Sequence, residues 1–210
     1  MPFEFLRRQP TPEPVWHRVG TGLSAEMLTS GAAVPEAIAL AEEALGVKLP
    51  PSLARFMEQA DAAEGWVAGE YLAMWPVAEL ANLNALARVA EFSPELVAFA
   101  TNGGLEGFFF HRETGDFINS PMIGLGYIEP TLVGTTFDEF LAWLTSRHPR
   151  SGKPPAPHTS RFGSVIHEIQ PILLGGSPTD PKNKTMLPLA TYAEAVGFWN
   201  EQVWHAHDHR

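Results

Sequence analysis

Three histidines alternate at the end of the chain, His205, His207 and His209, with Asp208 among them. In an extended tail this pattern makes a weak transition-metal site. A frayed terminus is the simpler expectation. His17, His111, His148, His158 and His167 form no ligand-spaced pair, and His-Glu-x-x-His does not occur. There is no cysteine, which excludes thiolate metal sites, thiol nucleophiles and disulfides. Asn102-Gly103-Gly104 with Gly107 lacks the dinucleotide fingerprint, and no Gly-Lys-Ser/Thr cradle exists for phosphate. It reads as a tight turn. Gly175-Gly176-Ser177-Pro178 holds a serine without nucleophile-elbow spacing. The pairs Glu42/Glu43 and Asp138/Glu139 point to different sides of their helices, so neither suits shared acid/base work. Glu42 lies at the edge of an apolar face, where bonding to backbone of the following loop is its expected role. No cofactor is expected.

What remains is acidic and aromatic. Asp61, Glu64, Trp66, Glu70, Tyr71, Glu106, Glu113 and Asp116 are the candidate partner-binding residues. Large aromatics anchor a protein interface, and carboxylates steer and pair with Lys or Arg. The competing reading puts Trp75 and Tyr71 in the core and leaves the acids merely solvated. The net charge of −10 sits in the middle of the chain. Residues 35–146 carry sixteen acids against four bases, whereas 147–210 carry seven bases against five acids. An acidic surface repels nucleic acid and anionic membrane, attracts basic proteins, and keeps a protein soluble.

The elements that must position these residues follow from period and punctuation. Residues 1–34, rich in Pro, Thr and Gly, read as an arm. A helix starts at Pro35, buries Ile38, Ala41 and Leu45, and stops at Gly46. Pro50-Pro51 launches a second, with Leu53, Phe56, Met57 and Ala60 on one face. Residues 61–69 read as loop, 71–75 as a strand, and 77–90 as a third helix. Residues 97–100 form a strand, and 107–111 with 116–118 form a β-hairpin. Two more short strands are expected at 121–123 and 131–133. Thr136-x2-Glu139 is a capping box before Phe137, Phe140, Leu141 and Leu144. Residues 147–161 are a basic, Pro-rich linker. Beyond it, 162–210 read as an extension: an edge strand or irregular segment over 165–174, a short strand at Met186-Leu187, and a helix capped at Thr191 with Tyr192, Val196, Trp199 and Val203 in a stripe. Such a helix is marginal alone and is expected to dock on the main domain. The order of elements favours an α+β fold with a mostly antiparallel sheet and flanking helices. No apolar run approaches the ~18 residues of a membrane span. The start has no apolar stretch behind a basic end, so a cytoplasmic protein is expected.

Glu42-x2-Leu45-Gly46-x2-Leu49-Pro50, Asn102-Gly103-Gly104-x2-Gly107-Phe108, Pro121-Met122-Ile123-Gly124 and Thr136-Phe137-Asp138-Glu139-Phe140-Leu141 together resemble the SUKH superfamily. That group includes regulators of cell-wall synthesis and bacterial toxin-immunity proteins. The resemblance covers about residues 35–146. It implies binding without catalysis, with a secreted toxin, often a nuclease, as the partner; the acidity of the same span makes a basic surface on that toxin the expectation. Many members carry Asp before the double glycine and at the end of the next strand; here those places hold Asn102 and His111. The expected function is therefore a toxin-neutralising immunity protein. A regulatory or scaffold module without a toxin is the alternative, and a hydrolase or metal-dependent enzyme the more remote one.

Overall fold

The computed structural model describes residues 17–20, 26–67, 70–147 and 163–207. Eight strands form one antiparallel sheet whose spatial order is its chain order. They are β1 (His17–Gly20), β2 (Glu26–Thr29), β3 (Glu64–Val67), β4 (Glu70–Met74), β5 (Leu96–Thr101), β6 (Glu106–His111), β7 (Phe117–Pro121) and β8 (Thr131–Gly134). Helices interrupt this meander twice. Helices α1 (Pro35–Leu45) and α2 (Pro51–Met57) lie between β2 and β3. A 3-10 turn at Val77–Glu79, α3 (Leu80–Leu86) and α4 (Val89–Phe92) lie between β4 and β5. Helix α5 (Phe137–Ser146) follows β8, and a separate hairpin of β9 (Ser164–Glu168) and β10 (Lys184–Pro188) leads into α6 (Leu189–His207). The class is α+β with a mostly antiparallel sheet, flanking helices and a C-terminal strand and helix extension, as the sequence implies.

Local chemistry explains the secure elements. Pro35 opens α1, and Gly46 closes it in the left-handed region at φ 67°, where a side chain costs energy. Thr136 caps α5: its Oγ1 accepts the Glu139 N–H at 3.2 Å, while the Glu139 carboxylate accepts the Thr135 N–H at 2.8 Å. Helix α5 then lays Phe137 and Phe140 against Phe99, Phe108 and Phe117 of the sheet. Phe108 and Phe140 lie 5.1 Å apart and Phe99 and Phe117 5.6 Å, both edge-on. All five rings are buried, so this cluster is the heart of the core.

Elsewhere the structure departs from the expectations. The lead-in contributes β1 and β2, with Met27 fully buried, although its pattern suggested an arm. Glu64–Val67, read as loop, is β3, because pairing to both neighbours overrides its weak strand propensity. The single third helix is broken at Arg88, whose φ of 54° separates α3 from α4. Helix α6 begins two residues before Thr191, directly after β10, and its first N–H, that of Leu189, donates to the Gly163 carbonyl at 3.1 Å. His205 and His207 belong to that helix and not to an extended tail; His209 lies outside the described residues. Of the linker only Arg147 is described, and residues 1–16 of the arm also lie outside.

Candidate functional site

Strand pleat and register decide where the acidic and aromatic residues go. Trp66 pairs with Tyr71 across β3 and β4, and Glu64 with Ala73, so Glu64, Trp66 and Tyr71 share one face. The Trp66 and Tyr71 rings meet at 5.1 Å, near edge-on. The Tyr71 hydroxyl donates to the Glu64 carboxylate, which also accepts the Gly163 N–H at 3.3 Å. Glu64 is only 4% exposed.

Glu70 pairs with Val67 and points to the opposite face, where α5 ends. There Arg147 makes a two-pronged bond to Glu106, at 2.5 and 2.9 Å, and approaches Glu70 at 3.8 Å. Its guanidinium also stacks on Trp143, 4.9 Å from the ring centre. The Glu106 bond is the main reason that the Arg147 pKa is raised above its ordinary value. Asn102 stands beside them, donating to Glu70 at 3.5 Å and accepting from the Gly104 and Glu106 N–H groups at 3.1 Å.

Five of the eight expected residues thus gather at one corner, but the pleat deals them to two faces. The other three lie apart. Asp61 holds the Ala62 and Val77 N–H groups, each at 2.9 Å, and burial pushes its carboxyl pKa up. Glu113 and Asp116 occupy the turn between β6 and β7, at the far end of β6 from Glu106, roughly 17 Å away at ~3.3 Å per residue. Asp116 there accepts from the Thr114 hydroxyl at 2.7 Å. Glu42 does what its place on the helix edge suggests: it accepts the Leu49 N–H at 3.0 Å and pairs with Lys48.

The extension is bonded to the same corner. The Ile166 N–H donates to the Gly103 carbonyl at 2.8 Å, and the Tyr192 hydroxyl to Gly104 at 3.0 Å. Burial alone lifts the Tyr192 pKa far above its ordinary value, so the hydroxyl stays a donor. Between domain and extension lies a cavity of about 260 Å³ lined by Glu64, Trp75, Glu79, Gly163 and Val165 among others. The buried Trp75 Nε1 has no hydrogen-bond partner among the described residues. Among those residues no group of three or more His, Asp or Glu side chains is placed to hold a metal ion. Sequence reasoning did not single out Arg147, whose role depends on a partner 41 residues away. It also passed over Trp204, although this residue falls beside the Tyr192, Val196, Trp199 and Val203 stripe, and that offset signals exposure.

The acidic α+β domain thus has polar side chains that bond chiefly to backbone groups of the molecule itself, with aromatic side chains at its surface. Residues 32–143 match the SMI1/KNR4 family (SUKH-1), and the chain belongs to that family. No curated protein matches it significantly. The matched span runs from before α1 into α5 and leaves β9, β10 and α6 outside. Among the described residues no helix is long and apolar enough to cross a membrane.

Proposed function

We propose that this chain is an immunity protein that binds and neutralises a cognate bacterial toxin in the cytoplasm of the producing cell, without catalysis. The observation that carries the reading is the family match over a span where sixteen acids face four bases. A nuclease toxin has a basic cleft for phosphate, and an acidic inhibitor fills such a cleft by charge complementarity. Long-range attraction then speeds encounter and weakens with salt. A stable complex should bury on the order of 1,600 Å². Glu113 and Asp116, at the hairpin turn, are placed to steer. Asp61, Glu64, Glu70 and Glu106 already hold bonds within the molecule, and they are divided: Glu64 lies with Trp66 and Tyr71 on one face of the sheet, Glu70 and Glu106 meet Arg147 on the other, and Asp61 stands apart from both.

Co-expression with the product of the adjacent gene tests the reading. The expected result is a co-purifying complex and restored growth of cells expressing that product. A chain that neither binds nor rescues overturns it. Reversing charge with Glu113→Lys and Asp116→Lys should slow association and flatten its salt dependence. An unchanged salt slope with full protection would remove the hairpin from the interface.

A further inference from the structure

Helix α6 fixes the loop that joins β7 to β8. The fully buried Asn200 side chain accepts the Gly124 N–H at 2.7 Å and the Leu125 N–H at 3.2 Å, and donates to the Met122 carbonyl at 2.9 Å. One turn later Trp204 Nε1 donates to the Leu125 carbonyl at 3.1 Å. Gly126 has φ 70°, and a Cβ there would stand 2.1 Å from the Phe92 carbonyl oxygen. Only glycine fits that conformation and that spacing. The loop is therefore held in one shape by interactions inside the molecule.

With its polar groups so occupied, this region turns apolar surface outward. Tyr127 is 52% exposed, Trp204 and Ile172 42%, and Leu173 39%. A Cβ at Gly124 would meet Leu173 and Ile128, and one at Gly126 would meet Trp204, so these side chains border one loop. The Trp204 ring also stands 6.1 Å from Phe92. Aromatic side chains already held in place lose little freedom when a partner covers them, which makes them effective anchors.

Charge decides what covers them. Arg88 lies over the Phe92 ring and pairs with both Glu91 and Glu201. Glu129 is exposed, two residues beyond Tyr127. Three carboxylates and one guanidinium therefore border the patch. A second copy of this chain, docked about a two-fold axis, would bring these acids against one another. We propose that Tyr127, Leu173 and Trp204 form the anchoring core of a docking surface for a basic protein segment, one that presents apolar side chains flanked by Lys or Arg. The proposal rests on the toxin-binding reading and deepens it: the family domain supplies Tyr127, and the extension beyond residue 143 completes the surface.

The test uses the full chain and the protein encoded by the adjacent gene, with association and dissociation measured over a range of salt. Tyr127→Ala and Trp204→Ala should each weaken binding at least about tenfold, through faster dissociation. Glu129→Lys should slow association and flatten the salt slope. Trp204→Ala also deletes a bond to the loop, so thermal melts accompany every variant. If that one melts early, Tyr127→Ala and Leu173→Ser carry the result. Wild-type binding with unchanged dissociation in those two variants overturns the surface and leaves the toxin-binding reading standing. A wild-type chain that does not bind at all overturns both. Self-association abolished by Tyr127→Ala would assign the patch to a second copy and overturn the proposal.

Discussion

Asn84 takes the place of a missing strand. Strand β4 pairs with β5 only at Ala73–Thr101 and Met74–Ala100, and the register of β5 shifts between Ala98 and Ala100. The buried Asn84 amide fills the gap, accepting the Ala98 N–H and donating to the Ala98 carbonyl, both at 2.8 Å. Asn84→Leu leaves two buried backbone groups without partners, at about 1–3 kcal/mol each. Urea unfolding should show a lower midpoint at an unchanged slope; an unmoved midpoint would mean that water or a neighbour replaces the amide. Some single-residue roles could be read beforehand. Glu42 was legible because its place on the helix edge and the loop after it are both local. Asn102 was legible only as part of a glycine turn, although its Oδ1 organises that turn by accepting the Gly104 and Glu106 N–H groups. The division of Glu64 and Glu70 between two faces was not legible. It depends on the exact count of residues in the β3–β4 connection, and a one-residue slip inverts every side chain.

At the scale of elements, α1, α2, α5 and the β6–β7 hairpin were legible because period, caps and turn residues agree there. Strand β3 was hidden by Gly65 and the acid beside it, whose strand character comes only from their neighbours. The break at Arg88 was hidden because the helical stripe of Leu80, Leu83 and Ala87 runs right up to it and no Gly or Pro marks the left-handed position that Arg88 takes. The Thr191 capping box was a false signal: α6 starts at Leu189, directly after β10, where the first-turn N–H of Leu189 is satisfied by the Gly163 carbonyl. In β9, His167 is buried against Tyr192, with ring centres 5.9 Å apart. Burial holds its pKa below the usual histidine value, with Glu168 pulling partly the other way. A base with a depressed folded pKa is neutral in the fold and takes its proton first in the unfolded chain. Its contribution is therefore complete above about pH 6.5 and shrinks as pH falls toward the folded value, by at most about 1.4 kcal/mol per pH unit. Unfolding measured from pH 7.5 to 5.5 should show this loss, and His167→Leu should remove its share. A pH dependence identical in both proteins would clear His167 of the effect.

For the whole molecule, the extension and the family domain meet where α6 crosses α3. Gly197 makes that crossing possible, because a Cβ there would lie 2.5 Å from the Leu86 carbonyl oxygen. Gly197→Ala should force the helices apart at a cost of about 1–3 kcal/mol. Amide exchange at Gly124 and Leu125, whose N–H groups are held by Asn200, should then accelerate. Unchanged protection at those two amides would show that α6 docks independently of α3. The order of the sheet bears on how the chain reaches this state. Each strand lies beside the one made just before it, so every pairing can form as soon as its second member leaves the ribosome. Only the two helical insertions impose longer closures, and loop entropy grows slowly with length. Such a meander favours growth of the sheet in the direction of synthesis, with little need to unmake early contacts before α6 arrives to seal the face.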